Sequence, residues 1–591
     1  MSEINAEAKP AHEKHGNHMH LRGLEMQMKH LKGSAKSEVE ENSLIEFHGE
    51  GFPLDRRTKS KKVQKQQKIY GTPDVDVAVS DTCCSGCGAL MHCTDPEIPG
   101  YLPSEKFRVL VEEDQLKKAI CQRCFLINHH QKALNVTMSK EEYRAIVKGI
   151  KSEKALVLLI VDLLDLPDSV IPDLPELVGK NKLIVILGNK TDLLPGDAEN
   201  YLQRIKRQLK AYCESMGISA IDNKDIHLIS AKTGYGIENL ITRLQLTWKY
   251  KGDVYVVGMA NAGKSTLFNT LLESDYCKSR ASDVIHKATI SPWPGTTLNL
   301  LKFPTINPTP YRMFRRAERL KQASHLTEDD MNPEELKRII QFSKQGYLVG
   351  HIGRTFLANQ PPKKTLVEFD PDSLSFGEDL EEDVKKDPSL DSSTDAELSY
   401  NEIKDAHWFY DTPGIMKEHV LSLLNEQEVK LVVPTQAITP RTFVMKPGMV
   451  LFLGALGKSS CWLTVVASNR IPVHITSLDK ADAIYQKHAG NTLLAVPSGD
   501  EECMKTFPPL VAQDFELQGQ GCNTAIADIK VSSAGWVAVT AAERDQLLLR
   551  TRAPEARINK TPAYKTRKPQ ALVDAGLSEK AAERLKVRRK N

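Results

Sequence analysis

An α/β fold, a doubly wound and mostly parallel sheet, is what this 591-residue sequence predicts, on three observations. Apolar runs at 155–161, 182–187 and 253–257 are short and rich in Val, Ile and Leu, as strands buried on both faces must be. These runs, and a fourth at 407–410, lead into Asp162, Asn189, Gly258 and Asp411, each a polar or glycine start to a loop. Helical patterns at 237–248 and 266–272 alternate with the strands. In such a sheet every loop at a strand's carboxyl end lies on one edge, where ligands bind.

The loops carry the chemistry. Gly258-Met-Ala-Asn261-Ala262-Gly263-Lys264-Ser265 has phosphate-loop spacing between a strand and a helix. Gly258, Asn261, Ala262, Gly263 and Thr266 belong to the cradle, whose backbone N–H groups and helix N-terminus suit anions. Lys264 adds a point charge near the β and γ phosphates, and Ser265 is the expected Mg²⁺ ligand. Base choice falls to Asn189-Lys190-Thr191-Asp192. The Asp192 carboxylate can accept both donors of guanine, whereas adenine would leave it buried and unpaired. Asn189 braces that loop, and the aliphatic stem of Lys190 can cover the ring. In Ser230-Ala231-Lys232 the Ala231 N–H is expected to meet the guanine carbonyl.

Asp411-Thr412-Pro413-Gly414 places Asp411 to hold a Mg²⁺ water and the Gly414 N–H to bind the γ phosphate. Thr297 is the expected switch threonine, binding Mg²⁺ only with GTP, and Thr296 is the alternative. Together the motifs imply GTP binding and hydrolysis to GDP and phosphate, with Lys264, Thr297, Asp411, Gly414 and Asn261 as the catalytic set. Ile415 stands where Ras-like proteins orient water with Gln, so slow intrinsic hydrolysis is expected. Asn261 suits either a K⁺ ion beside the phosphates or a plain loop-stabilising role.

The order is rotated: the guanine motifs precede the phosphate loop, and Asp411 follows it. A circularly permuted P-loop GTPase results, which is sterically cheap because the pocket is set by neighbouring strands and domain termini often lie close. The new ends open just after the second switch. Residues 415–431 read as a helix leading straight into the next domain, so nucleotide state is expected to act on that domain.

Upstream, Cys84-Ser-Gly-Cys87 and Cys121-Gln-Arg-Cys124 are paired knuckles with the spacing of a closed four-thiolate Zn²⁺ site. Cys83, His92 and Cys93 are nearby substitutes. The 11 cysteines are an odd number, no secretory signal is visible, and GTP-driven chemistry belongs to reducing compartments, all against disulfides. With four protein ligands the zinc is structural.

These features together resemble one family. Cys84-Ser-Gly-Cys87-Gly88, Asp95-Pro-Glu-Ile-Pro-Gly-Tyr101, Cys121-Gln-Arg-Cys124-Phe125, Val161-Asp-Leu-Leu-Asp165, the rotated motifs and Pro294-Gly-Thr-Thr-Leu298 are similar to the YqeH and nitric-oxide-associated GTPases, over about 70–536. A long insertion and Tyr70-Gly-Thr-Pro-Asp74 bring it nearest the animal mitochondrial members. The resemblance implies a treble-clef-type zinc finger, K⁺-assisted hydrolysis and a β-rich C-terminal domain that binds RNA. It also implies a role in small ribosomal subunit assembly or mitochondrial translation, in the matrix or peripherally at the inner membrane. No haem, flavin or nicotinamide signature is present, so nitric oxide synthase chemistry is not expected.

The remaining sequence divides accordingly. Residues 1–69 form an extension rich in His and Lys with interspersed Glu, unlike an acidic-poor transit peptide, so cytoplasmic residence is the alternative. The zinc finger spans 70–138 and the GTPase domain 139–430, interrupted by an insertion at about 305–402 with an acidic run at 378–395. That insertion sits in a hairpin expected to point away from the nucleotide. Short β runs at 449–453, 462–466, 472–475, 527–531 and 536–539, with a helix at 479–488, fill a domain at 431–545. Arg441 and Arg470 could face phosphates, although an exposed Arg on a sheet is usually just solvated. A basic tail, 546–591, can gain RNA affinity by counterion release, although the net charge of +3 is too small to argue nucleic acid by itself. No run is long and apolar enough to span a membrane. The competing function class is a switch acting on a protein partner, at a membrane or in signalling, without RNA.

Overall fold

The structure, a computed structural model, describes residues 72–559 apart from 131–139, 197–199, 219–221, 280, 294, 326–332, 345–346, 357–405, 416–425, 446–447, 453–454, 458–460, 490–492, 495, 497–509, 522–524, 532–533 and 554–555. The N-terminal extension, the acidic run and most of the basic tail lie outside the described residues, as does most of the expected helix at 415–431. Its last turns are present as a helix at Glu426–Val432.

Strands β1 (Ala155–Asp162), β2 (Leu183–Asn189), β3 (Ile226–Leu228), β4 (Asp253–Gly258), β5 (Leu301–Pro304) and β6 (Trp408–Asp411) build a six-stranded sheet ordered β3-β2-β1-β4-β6-β5. All neighbours are parallel except β5, which returns antiparallel to β6. Strand β1 shows why its sequence lacks alternation. Val157, Leu159 and Val161 enter one core, while Leu156, Leu158 and Ile160 enter the other. Each such side chain contributes about 1.5–3 kcal/mol by leaving water. The helix Tyr201–Ser215 covers the first face through Ile205, Leu209 and Cys213. The helices Ile237–Thr247 and Lys264–Leu272 cover the second, so the sheet is doubly wound.

Register aligns the functional ends. Asp162 pairs with Asn189, Ile160 with Gly258, and Val256 with Asp411. The chain runs outward from β1 through β2 to β3, then returns to β4 on the other side of β1. That reversal opens a crevice at the strand ends, the usual place for a ligand in this architecture.

The C-terminal region is two antiparallel sheets. One is ordered β16-β13-β14-β10-β7, from Ala556–Asn559, Ala527–Val531, Gly535–Thr540, Cys461–Ala467 and Arg441–Met445. The other is ordered β11-β8-β9-β15-β12, from His474–Ser477, Met449–Phe452, Ala455–Gly457, Gln546–Ala553 and Val511–Gln518. They share a core that includes Leu463, Val465, Val537 and Leu549. Gln546–Ala553 and Ala556–Asn559, expected in the tail, are therefore strands. Leu547, Leu549 and Thr551 are buried, whereas Arg550 and Arg552 face out to Asp514 and Asp482. Outward arginines gave this strand the composition of a tail while its alternation remained that of a strand. Arg441 donates to the Ile471 carbonyl at 3.1 Å and Arg470, on the surface, to the Lys430 carbonyl at 3.2 Å.

Val466, Trp536 and Ala538 join the core of the first sheet, beside β1. Lys530, 5% exposed, reaches Asp165 at 2.9 Å and the Leu166 carbonyl at 2.6 Å, fastening β13 to the loop after β1.

The insertion returns to the nucleotide side, against expectation. Its helix Pro310–Ala323 is anchored by Arg316 and Arg319 on Glu238 and Asp275. Thr233 then donates to the Leu348 carbonyl at 2.6 Å, and the Gly350 N–H donates back to the Thr233 carbonyl at 3.2 Å. A Cβ on Gly350 would meet the Gly234 carbonyl at 2.4 Å, so the contact requires glycine. The β5–β6 hairpin does leave the sheet, but a chain this long has room to fold back.

Candidate nucleotide and metal sites

A cavity of about 450 Å³ opens at the crevice. Its wall takes Asn189, Lys190 and Asp192 from the end of β2, Ala231 and Lys232 from the end of β3, and Asn261, Gly263, Lys264, Ser265 and Thr266 from the phosphate loop. Thr296, Thr297 and Gly414 close the far side. Gly258, Ala262, Ser230 and Asp411 stand behind that wall and shape it. Gly258 and Met259 present carbonyls to the Lys264 ammonium at 3.2 and 2.8 Å. Ser230 accepts the Thr233 N–H at 3.1 Å and so closes its own turn.

Asn189 ties three loops together. Its amide nitrogen donates to the Ala262 carbonyl at 2.8 Å, and its oxygen accepts the Ala231 N–H at 3.0 Å. The Ala231 donor expected for guanine is thus engaged by Asn189, since a buried N–H takes the nearest acceptor. Gly263 adopts φ +98°, and a Cβ there would lie 2.3 Å from the Asn189 nitrogen. Only glycine permits that approach. Lys190 pairs with Asp162 at 2.6 Å, which fixes its stem along the wall.

The metal-side residues converge. Ser265 donates to Asp411 Oδ2 at 2.6 Å, and its oxygen lies 2.9 Å from the Thr297 hydroxyl. The Thr296 hydroxyl turns away and donates to the Trp293 carbonyl at 2.9 Å, so Thr297 is the threonine that meets Ser265. Asp411 is fully buried and its Oδ1 has no protein partner. Burial pushes its carboxyl up to about 6, against the pull of Lys264 and Ser265. Burial likewise lowers the Lys264 ammonium to about 8, with Asp411 opposing. Lys264 rests on backbone carbonyls and Asp411 Oδ1 is left without a protein partner, in a pocket shaped for a phosphate chain and a cation.

Asn261, at φ +61°, donates to the Pro292 carbonyl at 2.6 Å, which turns its oxygen away from that contact. Ile415 is buried, donating to the Gly258 carbonyl and accepting from Ala260 N–H. It cannot orient a water.

The thiols of Cys84, Cys87, Cys121 and Cys124 are fully buried and lie within 4.8 Å of one another. Cys84 to Cys124 and Cys87 to Cys121 are each 3.8 Å, far too long for a disulfide at about 2.05 Å. Tetrahedral zinc with Zn–S near 2.3 Å places its sulfurs about 3.8 Å apart, so the cluster fits the ion. The three substitutes do not converge. Cys83 is exposed, Cys93 faces the Asp74 carbonyl, and His92 is held by Thr94 and Pro99.

Sequence reasoning missed part of the wall. Trp293, Val433, Pro434 and Thr435 also line the cavity, and Lys232 donates to the Thr435 carbonyl at 3.2 Å. No local pattern marks the last three, which reach the pocket only through the packing of the C-terminal region.

Two family models match: the 50S ribosome-binding GTPase over residues 253–313 and the YqeH-like C-terminal region over 460–555. Nitric oxide-associated protein 1 of Homo sapiens is 50% identical over 572 residues, covering 86% of this chain and 81% of that protein. The chain belongs to the YqeH and nitric-oxide-associated GTPase family. Nitric oxide-associated protein 1 of Mus musculus is also 50% identical, over 563 residues, covering 85% of this chain and 80% of that protein. The uncharacterized protein YqeH of Bacillus subtilis is 27% identical over 469 residues, covering 78% of this chain and 93% of that one. As a nitric-oxide-associated GTPase the chain takes guanine nucleotide and Mg²⁺, and its four-cysteine cluster is compatible with zinc. Among the described residues no helix is long and apolar enough to cross a membrane.

Proposed function

We propose that this GTPase is a nucleotide-driven switch in mitochondrial small ribosomal subunit assembly, holding ribosomal RNA while GTP is bound and releasing it after hydrolysis. The observation that carries the reading is the join between nucleotide loops and C-terminal sheets. Lys530 bridges from β13 to the loop after β1, and Val433 to Thr435 line the nucleotide cavity itself. A change at the phosphates therefore has a short mechanical path to the proposed RNA-binding region. The matching family model named for 50S ribosome binding supports a ribosomal partner without favouring the small subunit, and a relative of Arabidopsis thaliana described as chloroplastic/mitochondrial supports an organellar compartment.

In the proposed mechanism Asp192 selects guanine, with Asn189 holding its loop against the phosphate loop. Lys264 leaves the Gly258 and Met259 carbonyls for the β and γ phosphates. Ser265 and Thr297 would hold Mg²⁺, with Asp411 behind them; when bound, the ion offsets charge on the phosphate oxygens. Gly414, where a Cβ would meet Ala260 Cα at 2.7 Å, lies on the cavity wall, where its N–H would donate to the γ phosphate. With Ile415 pinned, no side chain there positions water and intrinsic hydrolysis is slow. The Asn261 oxygen would hold K⁺ beside the phosphates, where the cation offsets charge as an arginine finger does.

Sedimentation with isolated ribosomal subunits tests the reading. Association with the small subunit is expected to be salt-sensitive and stronger with a GTP analogue than with GDP. Equal sedimentation in both states overturns it. Preference for the large subunit corrects the target, and capture by membranes without RNA favours the protein-partner switch. Hydrolysis equal in K⁺ and Na⁺ would return Asn261 to a loop-stabilising role.

A further inference from the structure

The zinc finger grips the segment that carries Thr297 from both knuckles. At the first, the Gly86 carbonyl accepts the Thr289 N–H at 2.9 Å, and the Cys87 carbonyl accepts the Leu298 N–H at 2.8 Å and the Asn299 N–H at 3.4 Å. At the second, Arg123 lies between ligands Cys121 and Cys124. Its guanidinium donates to the Gly295 carbonyl at 2.8 Å and the Thr296 carbonyl at 3.1 Å. Thr297 is thus bracketed: the finger holds the carbonyl before it and the N–H after it. Leu298 is counted in the finger's own apolar core, with Cys84, Phe107 and Cys121.

Close packing makes the grip specific. A Cβ on Gly86 would meet the Thr289 hydroxyl at 2.4 Å and Cys124 Sγ at 3.0 Å, so the knuckle and the switch segment share one volume. Arg123 is 5% exposed and points its planar fork at two backbone carbonyls. A guanidinium bonded in this way senses the path of the main chain rather than the identity of a side chain. If the segment moved, the guanidinium would remain buried without those acceptors, a costly state. With the grip intact, Thr297 stands 2.9 Å from Ser265, at the proposed Mg²⁺ position.

We infer that the zinc finger is an internal clamp on the first switch, with Arg123 as the positioning residue that holds Thr297 in its GTP-competent place. The inference rests on the reading of Thr297 as the switch threonine and is independent of the ribosomal target. Switch segments release when the γ phosphate is lost. Release here must break the contacts of both knuckles, so the finger favours the GTP-bound arrangement. Linkage is reciprocal: whatever the finger adds to the affinity for GTP over GDP, bound GTP must add to the stability of the finger. The finger is then where a partner that touches it can tighten or loosen the nucleotide site, without reaching the pocket.

The test uses the full-length, zinc-loaded chain. Zinc release to a dye selective for zinc over magnesium is followed with saturating Mg²⁺–GDP or a Mg²⁺–GTP analogue. At equilibrium the analogue complex is expected to hold zinc at least about fivefold more tightly than the GDP complex, the lower end of ordinary coupling between sites. In parallel, Arg123→Met is expected to lower the ratio of analogue to GDP affinity about tenfold, within that same range, leaving GDP affinity nearly unchanged and one zinc per chain. Arg123→Lys, with one donor head for two carbonyls, is expected to fall between. Equal zinc release at equilibrium in the two states overturns the clamp, as does an unchanged affinity ratio in zinc-bound Arg123→Met. If Arg123→Met loses zinc, the wild-type release experiment decides. A wild-type chain that binds neither nucleotide overturns the site itself and the clamp with it.

Discussion

Replacing Asn189 by alanine probes the joint on which the pocket depends. The side chain is 3% exposed and satisfies the Ala262 carbonyl and the Ala231 N–H, one in the phosphate loop and one in the guanine loop. In Asn189→Ala both groups lose their partner at the buried wall of the nucleotide cavity. An unsatisfied buried polar group costs about 1–3 kcal/mol, so with two such groups the nucleotide-free protein should lose about 2–6 kcal/mol. For a domain of this size each kcal/mol lowers the melting temperature by about 2–4 °C, giving a fall on the order of 4–24 °C. Bound GDP should return part of the loss, because the guanine carbonyl can accept the freed Ala231 N–H while the Ala262 carbonyl stays unpaired. The assay is thermal unfolding of wild type and variant, each with and without saturating Mg²⁺–GDP. The deficit should shrink by about 1–3 kcal/mol when nucleotide is present, the worth of the one restored group. Equal melting of the two nucleotide-free proteins would refute the bridge. A deficit that GDP leaves untouched would refute the sharing of Ala231 between Asn189 and the base.

The other predictions concern charge, zinc and the domain junction. Asp411 is raised from its ordinary value near 3.8 to about 6, so the folded state binds a proton that the unfolded chain has released; nucleotide-free stability should fall as pH rises from about 4 to 6. Asp411→Asn should remove that slope and gain on wild type by up to about 3 kcal/mol above pH 6 in nucleotide-free urea unfolding, while weakening Mg²⁺-dependent nucleotide binding; parallel pH profiles would contradict the burial argument. Cys124→Ser should abolish zinc retention by metal analysis, whereas Cys93→Ser should keep it; loss in the latter would reassign the ligands. Lys530→Met should strand half-buried Asp165, whose carboxyl is already raised by burial, and cost on the order of 3 kcal/mol, read as earlier proteolysis between the first sheet and the C-terminal sheets; unchanged cleavage would place the junction elsewhere.

Legibility followed range. The phosphate loop, the strand ends and the cysteine knuckles were readable because each is a contiguous pattern whose spacing is set by local geometry. The strand at Gln546–Ala553 was missed because Arg550 and Arg552, on its solvent face, resemble a tail in composition. Thr297 could not be separated from Thr296 by spacing, since neighbouring threonines differ only in which one the backbone turns toward Ser265. The course of the insertion was misjudged for a related reason: hairpin geometry says where a chain leaves the sheet and nothing about where it returns.

By itself the sequence determined the α/β class, the rotated order of the motifs, the choice of guanine and the four thiols. Those properties depend on residue types at short spacing, which chain chemistry fixes locally. Tertiary structure alone decided that Asn189 bridges two loops, that Lys530 fastens the C-terminal sheets beside β1, and that Arg123 grips the backbone next to Thr297. Each is a contact between segments far apart in the chain. Any one partner could have been met by another donor, and only close packing of the whole sheet selects which pair shares the space.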